Sequence, residues 1–262
     1  LTDWFSVTVG VRQGCNLSPY LFNLLLDAIM KEALKNLEAG VTVSGQVINN
    51  LRFADDIDLM AESPQQLQDI TNKVHQSSKR FGLKINEKKT KTMAIGKIHE
   101  DIRILLDNTQ LEQVTSFVYL GSQITEDAEC EQDIQRRTGL GSAMVGKLNK
   151  IWKSRSISLA TKIKVYETLV IPVFLYGSEC WKLRKSDERK IGSTEMGWLR
   201  RILGVSRIQR LRNDFIRSKL KQQETLCEKI EKKRLRWFGH VERMEDNRLP
   251  HRALHCYIEG LH

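Results

Sequence analysis

An adjacent pair of acids inside an apolar segment constrains the fold of this chain more than any other feature. Residues 50–60 read NLRFADDIDLM, so Asp55 and Asp56 are flanked by apolar residues on both sides. Two short apolar runs joined by polar residues are typical of a β-hairpin, which here would carry both acids at its tip. Adjacent carboxylates repel each other, and a hard divalent cation such as Mg²⁺ removes that repulsion because it prefers oxygen ligands.

Two interpretations of this acid pair are open from the residues alone. The simpler one is a surface turn in which both acids are solvated. The other is a catalytic site, since two divalent ions held by carboxylates stabilise the attacking and leaving oxygens of a phosphoryl transfer. Asp58 lies two residues beyond Asp56 on the same predicted strand face, and we expect it to be a solvated strand residue. The tetrapeptide FADD alone favours the surface turn, and the segments around it change that balance.

Three further segments occur in a fixed order around the acid pair. Residues 10–23 read GVRQGCNLSPYLFN, residues 82–93 read GLKINEKKTKTM, and residues 117–122 read FVYLGS. In this order the segments resemble the reverse transcriptases of non-LTR (LINE-type) retrotransposons, from motif B of the palm through the thumb to a basic C-terminal region. The resemblance extends over essentially the whole chain, and the order of the segments is more specific than any one of them.

The resemblance implies a two-metal polymerase site. It makes Asp55 a ligand of the catalytic Mg²⁺ ions and gives Asp56 a supporting position in the same metal site. Lys89 would protonate the leaving pyrophosphate, which is ordinary general-acid chemistry. Lys88 and Lys91 compete for that role, and a solvated basic turn is the alternative interpretation of all three lysines.

A second contact implied by the resemblance involves Arg12, Gln13 and Gly14. These residues precede a predicted helix, whose N-terminal N–H groups and positive dipole attract phosphate. In the resembled family the matching residues border the incoming nucleotide and the template strand. A plain glycine-containing turn is the alternative, and Asn16 departs from the proline that many relatives carry there.

A third contact implied by the resemblance involves Tyr119, Leu120 and Gly121. They match the segment that positions the primer end, called the primer grip. An aromatic residue beside a glycine allows the backbone to approach a sugar-phosphate closely. The alternative is an ordinary buried strand followed by a turn.

Positive charge is concentrated in the C-terminal third of the chain. Residues 182–252 hold 21 lysines and arginines against 10 acids, whereas the whole chain carries a net charge of +10. This imbalance favours a polyanionic partner, with nucleic acid first and an acidic membrane surface or acidic protein second. Aromatic residues, namely Trp198, Trp237 and Phe238, are interleaved with the cations, as is typical of nucleic-acid-binding segments. The residues predicted to bind nucleic acid are Arg200, Arg201, Arg234, Arg236 and Trp237.

The pattern of elements predicts an α+β protein. Ser18 and Ser63 each precede a proline and are predicted to cap a helix. A glycine-centred hairpin is predicted at residues 41–48, and a strand at residues 4–9. Apolar residues recur at helical spacing in both helices, so we expect the helices to pack on a small antiparallel sheet. In the first helix the predicted core residues are Leu21, Phe22, Leu25, Ala28, Ile29 and Ala33.

Three regions follow from this pattern and from the resemblance. Residues 1–128 are predicted to form a partial reverse transcriptase palm with a small antiparallel sheet and two helices. Residues 129–186 are predicted to form an all-helical, thumb-like region, with an interruption of the helical pattern at Pro172. Residues 187–262 are predicted to form a basic region of shorter helices.

Cysteine usage and hydropathy indicate the compartment. Five dispersed cysteines without a Cys-x-x-Cys pair favour free thiols in a reducing environment. No apolar run reaches the length of about 18 residues that predicts a transmembrane helix. We therefore expect an intracellular protein, nuclear or cytoplasmic, without a membrane partner. Because the chain starts with Leu1 inside a predicted strand, we also expect it to be a segment of a longer polypeptide.

The third carboxylate of a polymerase palm has no counterpart in this sequence. That acid lies on a strand that precedes motif B, and Asp3 stands in the wrong place for it. The sequence therefore predicts the C-terminal portion of an RNA-directed DNA polymerase that would use an RNA template, a DNA primer and dNTPs. Whether this chain is active by itself stays open. The alternatives are a non-catalytic nucleic-acid-binding remnant of a decayed element and a small structural helical protein.

Overall fold

A computed structural model of the chain describes Gly10, residues 14–96 and residues 101–256. The described residues divide into two compact units. The first unit comprises the described parts of Leu1–Met93, Glu100–Val114 and Arg252–His262, and the second comprises those of Ala94–His99 and Thr115–His251. The three-region division predicted from the sequence, with boundaries after residues 128 and 186, stays a prediction.

Helices account for most of the regular structure in the described residues. They are α1 Ser18–Ala33, α2 Pro64–Arg80, α3 Glu131–Lys147, α4 Asn149–Lys153, α5 Leu159–Val165, α6 Ile171–Phe174, α7 Lys185–Leu203, α8 Asn213–Leu220, α9 Leu226–Val241 and α10 Leu249–Leu254. No helix in the described part of the chain combines the length and the apolar character that a bilayer crossing requires.

The strands form separate two-stranded pairs. They are β1 Val41–Val43, β2 Gln46–Ile48, β3 Asn50–Phe53, β4 Asp56–Leu59, β5 Lys91–Thr92, β6 Leu105–Leu106, β7 Thr109–Gln110, β8 Glu112–Gln113, β9 Ser116–Tyr119 and β10 Ser122–Thr125. The pairs β1–β2, β3–β4, β6–β7 and β9–β10 are antiparallel, and β5–β8 is parallel. The predicted combination of helices and short strands is confirmed. The predicted single sheet is replaced, among the described residues, by these pairs, and the strand predicted at residues 4–9 lies outside them.

The starts of α1 and α2 show how well local rules predict helix boundaries. The Ser63 hydroxyl accepts a hydrogen bond from the Gln66 N–H at 3.3 Å, which confirms the predicted cap of α2. At α1 the cap position is Leu17, so the prediction of Ser18 as the cap is wrong by one residue. The Ser18 N–H donates to the Cys15 carbonyl at 3.2 Å, and this turn begins the helix earlier than the serine-proline pair suggested.

The first unit has a small core between α1 and α2. Its buried residues are Leu26, Met30, Ala33, Ile70 and Val74. The α1 face is rotated from the predicted one, because the predicted core residues Leu21 and Ala28 are exposed while Leu26 and Met30 are buried. When a helix is apolar on more than one face, its neighbours decide which face is buried. Here α1 buries the face that packs against α2.

The second unit is built around aromatic residues. The Phe174 ring contacts Trp181 and Trp198 edge-on, with ring centroids 5.6 and 5.8 Å apart. The indole N–H of Trp198 donates to the Ser142 hydroxyl at 3.0 Å, and that of Trp181 donates to the Asp133 carboxylate at 2.9 Å. Buried indoles need such partners, so these tryptophans are core residues of a helical bundle.

Two helical segments depart from expectation. The expectation of shorter helices beyond residue 187 is wrong for α7, which has 19 residues. The Arg184 N–H donates to the Asp187 carboxylate at its start, and Gly204, with φ of 75°, ends it in the left-handed conformation. The predicted interruption at Pro172 takes the form of a π-helical turn, Tyr166–Val170, after which α6 continues the helical path.

A glycine pair in α3 gives a test of the packing in the second unit. A Cβ at Gly141 would meet the Trp198 ring at 2.7 Å, whereas a Cβ at Gly139 would meet nothing within 4 Å. We expect Gly141→Ala to lower the free energy of unfolding by about 1–3 kcal/mol through overpacking. Gly139→Ala should raise it by about 0.5–1 kcal/mol because alanine favours the helix. Urea unfolding followed by circular dichroism compares the two variants, and equal effects would contradict this packing.

Candidate functional site

The adjacent acids lie at the tip of the β3–β4 hairpin. Phe53 pairs with Asp56, so Ala54 and Asp55 form a two-residue turn between the strands. Both carboxylates are exposed. Ala54 has φ of 52°, a left-handed conformation that favours glycine and costs a residue with a Cβ about 1–3 kcal/mol. The paired strands on both sides hold the turn in this strained conformation.

The register of β4 decides where the acids point. Ile57 and Leu59 pack against the core between α1 and α2. Since alternate residues of a strand face opposite sides, Asp56 and Asp58 lie on the other face. The hairpin is also tied to α1, because the Arg52 guanidinium donates to the Asp27 carboxylate at 3.2 Å. A shift of one residue would exchange the apolar and the acidic faces.

Asp58 does not fit the expectation of a solvated strand residue. It is half-buried, and this burial raises the pKa of its carboxyl group. Asp27 differs, since its bond with Lys31, followed by that with Arg52, lowers the pKa of its carboxyl group. Asp27 on α1 is thus neutralised by two cations, whereas Asp58 on β4 is partly removed from water.

The three candidate general acids differ in what they contact. The backbone N–H of Lys89 donates to the Asn86 carbonyl at 3.1 Å and to its side-chain oxygen at 3.2 Å, and the lysine side chain is exposed. Lys91 is engaged in an ion pair with Glu112. In the described part of the chain, no hydrogen bond or ion pair joins Lys89 to either acid of the hairpin tip. Lys88 is exposed as well.

The residues predicted to border the nucleotide are only partly described. Arg12 and Gln13 lie outside the described residues. Gly14 lies in an exposed turn ahead of α1, and its φ of 80° is in the left-handed region. That backbone conformation is one for which glycine is the favoured residue.

The residues predicted to form the primer grip lie at the turn of the β9–β10 hairpin. Tyr119 ends β9, and Leu120 and Gly121 form the turn with φ of 45° and 81°. The Leu120 carbonyl accepts a hydrogen bond from the Tyr176 hydroxyl at 2.8 Å. The Gly121 carbonyl accepts from Arg136 at 2.9 Å and also from Arg137.

Further contacts fix this turn to the helices of the second unit. The Arg137 guanidinium lies 4.4 Å from the centroid of the Tyr176 ring. The Asp133 carboxylate accepts from the Gln123 N–H at 2.9 Å. The carbonyls of the turn are therefore occupied by protein donors, and the strand side chains, such as exposed Val118, are the groups left to meet a partner. Sequence reasoning missed these helix residues, although an acid and an arginine four apart in α3 indicate one polar face.

The basic residues of the second unit fall into two groups. Arg200 donates to the Met196 and Leu211 carbonyls, both at 3.3 Å, and to the Asn213 side chain at 2.7 Å. Arg201 is exposed, and its guanidinium donates to the Asn149 side chain at 3.3 Å. This first group thus donates to protein oxygens, through several bonds for Arg200 and one for the exposed Arg201, and its binding of nucleic acid stays a prediction.

Helix α9 carries the second group. Arg234 and Arg236 are exposed and form no ion pair within the residues that the structure describes. Trp237 and Phe238 beside them are 41% and 50% exposed. Trp198, which the sequence placed among the interleaved aromatics, is only 5% exposed and belongs to the core. Helix α9 thus places two exposed aromatic rings beside two exposed arginines, and Phe215 on α8 is a further exposed ring of the basic third at 46%.

Asp58 gives a test of the hairpin by pH. Its pKa is raised in the folded chain, so the folded chain holds this proton more tightly than the unfolded chain. The free energy of unfolding therefore falls as pH rises from the unfolded pKa, about 3.9, through the folded pKa. We expect Asp58→Asn to be more stable than the parent above that window and to lose the advantage below it. Urea unfolding across pH measures the difference, with Asp69→Asn as the exposed control; a pH-independent difference would count against the burial.

Comparison with known proteins supports the resemblance to reverse transcriptases. Residues 2–124 match the family described as reverse transcriptase (RNA-dependent DNA polymerase). Over 217 residues the chain is 29% identical to a transposon-derived protein of Caenorhabditis elegans, an alignment that covers 79% of this chain and 76% of that protein. Over 212 residues it is 26% identical to the retrovirus-related Pol polyprotein from a type-1 R2 retrotransposable element of Nasonia vitripennis, covering 75% of this chain and 20% of that polyprotein.

A second Pol polyprotein supports the same relationship. Over 86 residues the chain is 38% identical to the polyprotein from a type-2 R2 retrotransposable element of Drosophila melanogaster, covering 33% of this chain and 8% of the polyprotein. The alignments thus span a fifth or less of each of these two Pol polyproteins. The chain is therefore similar to the reverse transcriptases of non-LTR retrotransposons, and the resemblance inferred from its segments is confirmed.

Proposed function

We propose that this chain contributes part of the palm of an RNA-directed DNA polymerase, with Asp55 and Asp56 in its metal site. The observation that carries the proposal is the β3–β4 hairpin, which presents both carboxylates at its tip. The match of residues 2–124 to the reverse transcriptase family supports it, because that family works with divalent metal ions. The region from residue 129 onward would supply the helical thumb and a basic C-terminal extension.

The acids at the tip fit a hard divalent cation. Both are exposed, and neither forms an ion pair with a cation among the described residues. Carboxylate oxygens prefer Mg²⁺ over softer metals, so we name Mg²⁺ as the ion. When bound, Mg²⁺ would lower the cost of bringing a nucleotide triphosphate and a primer 3′-hydroxyl together.

Other residues would position the substrates. Residues 12–14 would border the incoming dNTP and the RNA template. Lys89 would donate a proton to the leaving pyrophosphate, and its exposed side chain leaves it free to do so. Residues 119–121 would hold the strands that contact the DNA primer. The bonds from Tyr176 and Arg137 support this role, since they fix the turn without using the strand side chains.

A second candidate function is nucleic-acid binding without catalysis. The concentration of positive charge in residues 182–252 favours it. The exposed Arg234, Arg236 and Trp237 on α9 offer cations for phosphate and a ring for base stacking. The two candidates share this surface and differ in whether the hairpin acids carry out chemistry.

Substitution of the hairpin acid tests the polymerase proposal. In a longer polypeptide that supplies the third carboxylate, we expect Asp55→Ala to abolish primer extension on an RNA template, because a metal ligand is removed. Lys89→Ala should slow extension by about 10²–10⁴-fold, the usual contribution of a general acid. Asp69→Ala, an exposed acid on α2, is the matched control and should keep parental activity. Near-parental extension by the Asp55 variant would exclude the assignment.

The aromatic on α9 gives a test of the binding surface. We expect Trp237→Ala to lower the affinity of the chain for single-stranded nucleic acid by about 1–3 kcal/mol, because the ring can no longer stack on a base. Because the ring is 41% exposed, the far-ultraviolet circular dichroism should not change. Fluorescence anisotropy with a labelled single strand measures the affinity. Unchanged affinity would remove Trp237 from the surface.

A further inference from the structure

The loop between α7 and α8, residues 204–212, carries three arginines whose side chains project into solvent. Arg207, Arg210 and Arg212 are exposed, and none of them donates a side-chain hydrogen bond or forms an ion pair within the part of the chain that the structure describes. We call residues 204–212 the arginine loop. Three exposed cations within six residues create a local positive potential that attracts anions.

The arginine loop is held in one shape by its own hydrogen bonds. The Ser206 N–H donates to the Gln209 side chain at 3.0 Å, and the Gln209 N–H returns a bond to the Ser206 carbonyl at 3.3 Å. The Arg210 N–H donates to the Arg207 carbonyl at 3.1 Å. Arg210 itself has φ of 49°, a strained conformation that persists only where the surroundings enforce it.

Arg200 anchors the far end of the arginine loop. Its guanidinium donates to the Leu211 carbonyl and to the Asn213 side chain. Arg200 and Asn213 also line a cleft of about 300 Å³ together with Arg207 and Ser193. Because Arg200 donates to Met196, Leu211 and Asn213, Arg207 is the arginine of this cleft whose guanidinium has no such bond among the described residues. A preformed loop of this kind loses little conformational entropy on binding.

The apolar residues of the arginine loop divide into a packed pair and an exposed one. Val205 and Leu211 pack against the core of the second unit. Ile208, between them in sequence, is 90% exposed. The loop is thus anchored at both ends by apolar contacts, and its tip holds a branched aliphatic side chain in water beside arginines. A single exposed apolar residue is common, but one held at the tip of a rigid cationic loop suits insertion into a partner.

We propose that the arginine loop binds base-paired nucleic acid, with its arginines on the phosphates and Ile208 against the sugars or base edges of the minor groove. Aliphatic wedges flanked by cations are used in this way by minor-groove proteins. Single strands are bound instead by aromatic platforms, which the exposed Trp237 and Phe238 offer on α9 and the loop lacks. The proposal deepens the proposed function and rests on it, since the ligand would be a template–primer duplex.

Matched charge removal tests the role of the three arginines. Binding of the full 262-residue chain to a labelled RNA–DNA hybrid duplex is measured by anisotropy over a series of salt concentrations. The combined change Arg207→Ala, Arg210→Ala and Arg212→Ala should reduce the slope of log K against log salt by about 0.9 for each phosphate that the protein no longer neutralises. Lys147→Ala, Lys150→Ala and Lys153→Ala remove the same charge from exposed positions of α3 and α4, and should leave the slope near the parental value.

Substitution of Ile208 distinguishes an apolar contact with the groove from electrostatic attraction to phosphate. We expect Ile208→Ser to weaken duplex binding by about tenfold, because one aliphatic side chain is no longer buried in the groove, without changing the salt slope. Its affinity for the single strand of the same sequence should stay parental, whereas Trp237→Ala should show the opposite pattern. Since Ile208 is exposed, urea unfolding of the variant should match the parent.

The outcomes distinguish the loop from the broader function. Equal reductions of the salt slope in the two triple variants would show diffuse charge and overturn the loop assignment while the proposed function stands. Parental duplex affinity in Ile208→Ser would overturn the groove contact. A parent chain that binds phosphatidylserine vesicles through the loop but neither the duplex nor the single strand would overturn the proposed binding function and the loop assignment together.

Discussion

The buried carboxylate of Asp133 is the interaction on which the second unit depends. It is 4% exposed and lies in the first turn of α3. One oxygen accepts the Gln123 N–H of β10 and the other accepts the indole of Trp181, so a single side chain joins the hairpin to the aromatic core. Removing it would leave buried donors unpaired on both sides, at about 1–3 kcal/mol for each unsatisfied group. The hairpin turn, the helices and the aromatic cluster are therefore not independent modules.

The β3–β4 hairpin of the first unit is specified by different means. The alternation of apolar and acidic residues along β4 fixes the register of the hairpin, since Ile57 and Leu59 pack against the core between α1 and α2. This register leaves Asp56 and Asp58 on the opposite face, where one is exposed and the other half-buried. The strained Ala54 between the strands shows that pairing and packing outweigh local backbone preference. A site in which two like charges must stay adjacent requires strand pairing and packing that together fix the backbone of the turn.

The parts of the fold that the sequence predicts are those governed by neighbours along the chain. The acid hairpin, the glycine-centred hairpin at residues 41–48 and the Ser63 cap follow from alternation, turn residues and capping chemistry, and the structure contains all three. The buried face of α1 and the burial of Trp198 depend on which helix arrives from elsewhere, and both differ from expectation. The roles of Asp133 and Tyr176 at the β9–β10 turn do not follow from the sequence, because their partners are distant along the chain. The assignments of catalytic and binding roles stay predictions.

Arginine is the residue type for which sequence reasoning is least able to separate structure from function. Some arginines of the second unit complete the fold, namely Arg136, Arg137, Arg200 and Arg217. The last of these is paired with Glu195, which is 2% exposed, so removing the arginine would strand a buried charge. Others project from the arginine loop and from α9 without such partners in the described chain. A net charge counts both sets alike, yet only the projecting set can release counterions from a bound phosphate. The salt dependence of binding should therefore follow the projecting arginines, and the unfolding free energy should follow the engaged ones.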